Sequence, residues 1–387
     1  MLILNRSRTL DKYRKQSSAF VASLVDLQRL VDIFREQNFS VLGPTVIDHA
    51  VCYDKIESID QLPSGWRESQ DGGRYRLIQE GDGALFAHTM GPHSWKRFLF
   101  PANQDTVCAR QESCGIALSS TSIEPAPSQV FLGVRACEIA ALKILDKVLL
   151  EGPFVDSVYR ERRRNSFIVA VNCTRAGDTC FCASMNTGPY LTDGFDLGLT
   201  ELLEANQHLF IIEAGTERGH EVVEGMGLPL ATDEQRRTAK SAVDDAATSM
   251  GRVVDTENLP TALKTCLDDY HWEEIANRCL TCGNCTLVCP TCFCSNYEDS
   301  SDLVGATASR TRRWDSCFSV DFSYIHGGSI RATTMSRYRQ WMMHKLAYWP
   351  EQFGSYGCVG CGRCITWCPV GIDITEEITV FRKRVTR

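Results

Sequence analysis

Two stretches in the last third of the chain repeat one pattern of four cysteines and a proline. The first is Cys279-Leu-Thr-Cys282-Gly-Asn-Cys285-Thr-Leu-Val-Cys289-Pro290, and the second is Cys358-Val-Gly-Cys361-Gly-Arg-Cys364-Ile-Thr-Trp-Cys368-Pro369. The C-x2-C-x2-C-x3-C-P run gives three closely spaced thiolates to one [4Fe–4S] cluster and sends the fourth across to a second cluster. Two-residue gaps let a tight loop aim three sulfurs at one cube, with Gly283 and Gly362 allowing the backbone to pass close by. The swapped pattern assigns Cys279, Cys282, Cys285 and Cys368 to cluster one, and Cys358, Cys361, Cys364 and Cys289 to cluster two. A structural zinc site would instead set paired ligands on two separate knuckles.

The insertion between the two runs has room for helices. Tyr338, Trp341, Met342, Lys345, Leu346 and Trp349 recur at three- and four-residue intervals, which predicts a helix from Ser336 to Trp349. Its aromatic stripe reads as core around the clusters, with a partner-facing surface as the competing reading.

A chain of 387 residues can build two or three cored domains. Of its nineteen cysteines, twelve lie from Cys266 onward, so the chemistry is concentrated there. The opening Met1-Leu-Ile-Leu-Asn-Arg-Ser-Arg has too short an apolar run for a secretory leader, and no stretch approaches a membrane span. A cytoplasmic location, where cysteine patterns mean metal, is expected. The net charge of −7 gives no reason to expect a nucleic-acid partner. Arg160-Glu-Arg-Arg-Arg164 reads as a solvated helix face, while Arg310, Arg312 and Arg313 offer a docking point for an acidic partner.

Along the chain, Ala19 to Phe39 reads as one amphipathic helix and Ser40 to Gly91 as short strands and turns. Val130-Phe-Leu-Gly-Val134, then the helical spacing Ile139, Leu142, Leu145, Val148, then Phe167-Ile-Val-Ala-Val171 give strand, helix, strand. That crossover makes the strands parallel, and open parallel sheets present functional groups at their carboxyl ends. Cys137 and Cys173 fall just past those ends, and the loop through Gly177 returns Cys180 and Cys182 to the same edge. These four are candidate ligands of a third cluster, against the alternative that some are ordinary small buried residues. Leu209 to Glu213 is expected in the same sheet, Thr232 to Gly251 as an exposed bridging helix, and Ala262 to Asn277 as a helix leading into Cys279.

The fold class expected is therefore an α/β domain with a partly parallel sheet over 1–258, followed by an α-helical two-cluster ferredoxin domain over 259–387. Thr179-Cys-Phe-Cys182 recurs as Thr291-Cys-Phe-Cys294, and with Cys317 the second copy is either a reactive thiol site or packing beside cluster two. No dinucleotide fingerprint, P-loop, H-E-x-x-H or nucleophile elbow is present, so no catalytic residue is assigned and an electron relay is expected.

Gly133-Val-Arg-Ala-Cys137, Asn172-Cys173-Thr, Gly177-Asp-Thr-Cys-Phe-Cys182, His93-Ser-Trp-Lys96-Arg-Phe98, Trp314-Asp-Ser-Cys317 and the two cysteine runs together resemble one family, from about residue 90 onward. It is that of the beta (iron–sulfur) subunits of cytoplasmic sulfhydrogenases, which includes the corresponding dicluster iron–sulfur component of anaerobic sulfite reductases. Arg135-Ala136-Cys137 has alanine where the family is expected to have proline. The resemblance implies a non-catalytic electron-transfer subunit. Its partners would be a flavin-containing diaphorase that uses NAD(P), together with the small and large subunits of a nickel–iron hydrogenase or, in place of these, a sirohaem sulfite reductase protein. Two further readings stay open: a thiol-based reductase of a sulfur compound acting at Cys292, Cys294 or Cys317, and a cluster-based redox sensor.

Overall fold

The computed structural model describes residues 18–89, 91–119, 126–204 and 207–385. The opening segment, on which the leader reading rests, lies outside the described residues.

The continuous apolar runs become buried strands of one sheet. Its members are β1 (Ala19–Ser23), β2 (Ser40–Ile47) and β3 (Ala50–Lys55). A separate hairpin, β4 (Trp66–Asp71) and β5 (Arg74–Gln79), follows, and then β6 (Asn103–Glu112) and β7 (Gly115–Ser119). The main sheet resumes with β8 (Gln129–Arg135), β9 (Ser166–Val171), β10 (Leu197–Glu204) and β11 (Gln207–Ala214). Its order is β1-β11-β10-β9-β8-β2-β3. The inner pairs β10·β9, β9·β8 and β8·β2 run parallel, and β1·β11, β10·β11 and β2·β3 run antiparallel. The sheet is thus mixed, parallel at its centre.

Side-chain alternation builds a layer on each face. Val130, Leu132, Phe167, Val169 and Val171 meet Leu27, Leu30 and Phe34 of helix Leu24–Glu36 on one side. On the other side, Phe131, Val134, Ile168 and Ala170 meet Ile139, Leu142 and Leu145 of helix Ala136–Leu149. The single helix expected over 19–39 is corrected here. Ala19–Ser23 pairs with β11 as an edge strand, and the helix starts only at Leu24. Ser23 is the cause: its Oγ accepts the Asp26 N–H at 3.3 Å while the Asp26 carboxylate accepts the Ser23 N–H at 2.8 Å, a capping box that fixes the start. Strand β10 is an addition to the elements expected from the sequence.

Thr232 to Gly251 holds the expected bridging helix, Asp233–Thr248. Beyond it come short helices around a second core of Trp272, Tyr338, Trp341, Met342, Leu346, Ile378 and Phe381. The one helix expected over 262–277 is two, Leu259–Thr265 and His271–Arg278. Asp269 restarts the second by accepting the His271 N–H at 2.7 Å. The aromatic stripe is core: Tyr338, Trp341, Met342, Leu346 and Trp349 are all buried. That helix runs as Thr334–Met343, widens to a π turn over His344–Tyr348 and continues as Trp349–Phe353.

The insertion also carries a hairpin, β12 (Ser295–Ser301) and β13 (Thr307–Trp314), that joins the front of the chain. β13 pairs antiparallel with β6, giving a four-stranded sheet in the order β12-β13-β6-β7. Two of its strands come from each side of residue 259. The arginines on β13 are occupied within the chain. Arg310 pairs with Asp299, Arg313 with Glu298 at 3.0 Å, and buried Arg312 with Asp156, so the acidic-partner docking point is replaced by internal ion pairs.

Candidate metal centres

Each cysteine run wraps into a loop that ends in a short helix, Asn284–Leu287 in the first and Arg363–Thr366 in the second. The turn into each helix is a left-handed glycine, Gly283 at φ 76° and Gly362 at φ 77°. Gly362 is also a point of close approach, since a Cβ there would lie 2.4 Å from the Thr179 carbonyl oxygen.

The thiols that each cysteine senses most strongly come from both runs. Burial raises Cys285 well above the ordinary thiol value, and the thiols of Cys279, Cys368 and Cys282 push it further. Burial likewise raises Cys364, with Cys358, Cys361 and Cys289 beside it. Cys358 is pushed up to about 12, chiefly by burial, with Cys289 and Cys361 among its close thiols. The strongest thiol neighbours of Cys285 are Cys279 and Cys282 of its own run and Cys368 of the other, and those of Cys364 are Cys358 and Cys361 of its own run and Cys289 of the other. Cys279, Cys282, Cys285 and Cys368 line a common cavity whose apolar wall includes Phe318, Tyr338 and Trp341, with Cys364 at its inner side.

Among the described residues, no three His, Cys, Asp or Glu side chains converge tightly enough to share one metal ion. A multi-iron cluster needs wider ligand spacing, and further features fit one. Backbone N–H groups aim at the sulfurs: Thr281 to Cys279 at 3.4 Å, Gly360 to Cys358 at 3.5 Å and Ile372 to Cys368 at 3.3 Å. Two buried lysines, Lys96 and Lys345, have no carboxylate partner among the described residues. Lys345 Nζ donates to Cys289 Sγ at 3.4 Å and to Thr291 Oγ1 at 2.8 Å. Lys96 Nζ donates to the Cys289 and Cys292 carbonyls at 2.9 and 2.8 Å. Burial works against charge on Lys345, yet the thiolates of Cys289, Cys292 and Cys358 hold it above the usual lysine range. A buried cation needs a compensating anion, and thiolates with a bound cluster supply it.

The third group also comes together. Burial raises Cys137, Cys180 and Cys182, with Cys180 pushed up to about 12, and the other thiols of the group are among the charges that add to each shift. Buried Arg135 donates to Cys173 Sγ at 3.8 Å and to the Phe86 and His88 carbonyls at 2.7 and 2.6 Å. This group lies against the second cysteine run: Phe181 N–H donates to the Gly360 carbonyl at 2.8 Å, and the Cys180 thiol to the Cys361 carbonyl at 3.8 Å. Cys361 is a near charge for Cys137, Cys180 and Cys182 alike.

The model of the 4Fe-4S dicluster domain family matches residues 278–372. Sulfhydrogenase 2 subunit beta of Pyrococcus furiosus is 37% identical over 258 residues, covering 66% of this chain and 74% of the relative. The chain belongs to the sulfhydrogenase beta-subunit family. No solved structure matches it. Membership in this family, with the dicluster domain, makes it an iron–sulfur protein with [4Fe–4S] clusters and an electron-transfer part. No helix among the described residues is long and apolar enough to cross a membrane.

Lys345 and the pair Arg363–Glu138 carry no sequence signal of their own, and Lys96 stands out only within the His93–Phe98 stretch of the family resemblance. Lys345 looks like one more member of an apolar stripe, although the π turn that aims it at Cys289 is a feature often found at functional sites. A Lys345→Met variant is expected to keep its iron and to lower the midpoint of the cluster beside Cys289 by tens of millivolts, because lost positive charge disfavours the added electron. Redox titration followed by electron paramagnetic resonance measures this, and an unchanged midpoint would show that Lys345 does not set the local charge.

Proposed function

We propose that this chain is an electron-transfer subunit that passes single electrons between a flavoprotein using NAD(P) and a nickel–iron hydrogenase module. Cys279, Cys282, Cys285 and Cys368 would hold one [4Fe–4S] cluster, Cys358, Cys361, Cys364 and Cys289 a second, and Cys137, Cys173, Cys180 and Cys182 a third. Such clusters supply one-electron transfer at potentials tuned by sulfur hydrogen bonds, charge and burial.

The observation that carries the reading is the line of thiol sets. Cys285 senses Cys289, Cys364 senses Cys285, and Cys361 of the second set lies among the third. Three neighbouring sets in a row make a path with two ends. Supporting that path, the Thr179–Cys182 loop packs on Gly360 and Gly362, and Lys96 and Lys345 would offset negative charge near its middle. In this reading the wiring is an α-helical ferredoxin unit from about residue 259 onward, attached to an α/β domain over 1–258, in a cytoplasmic complex.

The test is purification of the complex from its native host under anaerobic conditions. Expected is co-purification with a flavoprotein and the two hydrogenase subunits, with NAD(P)H bleaching the chain's clusters only when the flavoprotein is present. A sirohaem protein as the co-purifying partner would move the assignment to sulfite reduction. Direct bleaching of the isolated chain by NAD(P)H would overturn the relay.

A further inference from the structure

Cys294 and Cys317 belong to none of the three sets above. Backbone pairing brings them together: Ser295 opposes Trp314 where β12 and β13 meet, and the Asp315 N–H donates to the Cys294 carbonyl at 2.9 Å just beyond. Each of the two thiols is the foremost neighbour that the other senses. The pair lines a cavity of about 410 Å³. Arg331 contributes a cation to its wall, and among the described residues no carboxylate lines it. The two thiols are half-buried and reach the cavity, unlike the buried Cys137, Cys180 and Cys182.

We propose that Cys294 and Cys317 form a dithiol–disulfide exchange site for carboxylate-bearing small disulfides. The adjoining Cys317, with lesser help from Lys345 and Lys96, brings Cys294 down to about 7 against the effect of burial, while Cys317 is raised. Cys294 is accordingly the attacking thiolate and Cys317 the resolving thiol. The Cys294 thiolate attacks one sulfur of R–S–S–R, forming the mixed disulfide Cys294–S–S–R and releasing R–S⁻. Cys317 then yields its proton to the released thiolate and attacks Cys294 Sγ, closing the Cys294–Cys317 bond and releasing the second R–S⁻. Two protein thiols are oxidised and one small disulfide is reduced to two thiols. Arg331 on the cavity wall favours a disulfide with carboxylates. The exchange involves only these two sulfurs, so it stands apart from the assignment of iron ligands.

The experiment uses the full-length, iron-loaded protein under anaerobic conditions, with glutathione disulfide as probe, alkylation of free thiols and peptide mass spectrometry. Expected is a disulfide-linked Cys294–Cys317 peptide pair that dithiothreitol reverses, with iron per chain unchanged. In Cys317→Ser a glutathione adduct should persist on Cys294, whereas Cys294→Ser should leave Cys317 unmodified. Neutral 2-hydroxyethyl disulfide should react about tenfold more slowly at low salt, the lower end of electrostatic enhancement at a charged cleft. The inference is overturned by the absence of a linked pair, by an adduct on Cys317 in place of Cys294, or by equal rates with the two probes. Loss of iron on either substitution would overturn it as well, since it would make the pair cluster ligands. Low iron in the unsubstituted protein would count against the cluster assignment and leave the exchange result standing.

Discussion

A Cys180→Ser, Cys182→Ser double variant is expected to lose about four irons per chain, from about twelve to about eight, on the rule of four thiolates for each cube. The two buried sulfurs sense Cys173 among their near thiols, and Arg135 donates to Cys173 Sγ. Hydroxyls in their place offer poor iron ligands, and a cubane left with two thiolates would not persist. Anaerobic iron and sulfide analysis measures the loss, and electron paramagnetic resonance should still show the interacting pair of ferredoxin-type clusters. Twelve irons in the variant, or eight in the parent, would remove the third cluster and return these cysteines to ordinary core packing. Electron transfer between the outer partners should fall steeply in the variant if the third set is one end of the path.

The second large effect is on stability. Arg363, between Cys361 and Cys364, forms an ion pair with Glu138 of helix Ala136–Leu149, and both side chains are almost fully buried. Arg363 Nε also donates to the Gly91 carbonyl at 3.0 Å and Nη2 to the His93 carbonyl at 2.8 Å, while Glu138 accepts the Trp95 N–H at 3.2 Å. Arg363→Ala leaves the Glu138 carboxylate buried without its partner, a loss of about 3–5 kcal/mol for breaking a pair of this kind. The midpoint of chemical denaturation should fall accordingly, with the second cysteine run loosened and its iron lost early. Glu138→Gln combined with Arg363→Met should recover much of the stability, because removing both charges avoids the uncompensated one. If Arg363→Ala alone were neutral, the pair would not hold the second run to the α/β sheet.

The two cysteine runs could be read directly because their spacing is local: the cysteines of each loop are a few residues apart. The placing of Cys137 and Cys173 at neighbouring strand ends was legible for a different reason. Two unbroken apolar runs with a helix between them force a parallel crossover, and Cys137 and Cys173 stand where such strands end. What the sequence hid depends on pairing across long separations. Strand β1 shares its apolar spacing with the helix that follows, and only the Ser23 cap and the edge of β11 divide them. The β6·β13 ladder joins residues about two hundred positions apart, with neither strand apolar enough to announce a partner. Arg363 looks like a solvent-seeking charge until the fold encloses it beside sulfur.

That ladder between β6 and β13 also bears on timing. Backbone pairing joins the loop that separates the two cysteine runs to the front half of the molecule. Electron passage inside such a body would not wait on lobes swinging together, and its rhythm would be set at the outer ends, by how long each neighbouring protein stays docked.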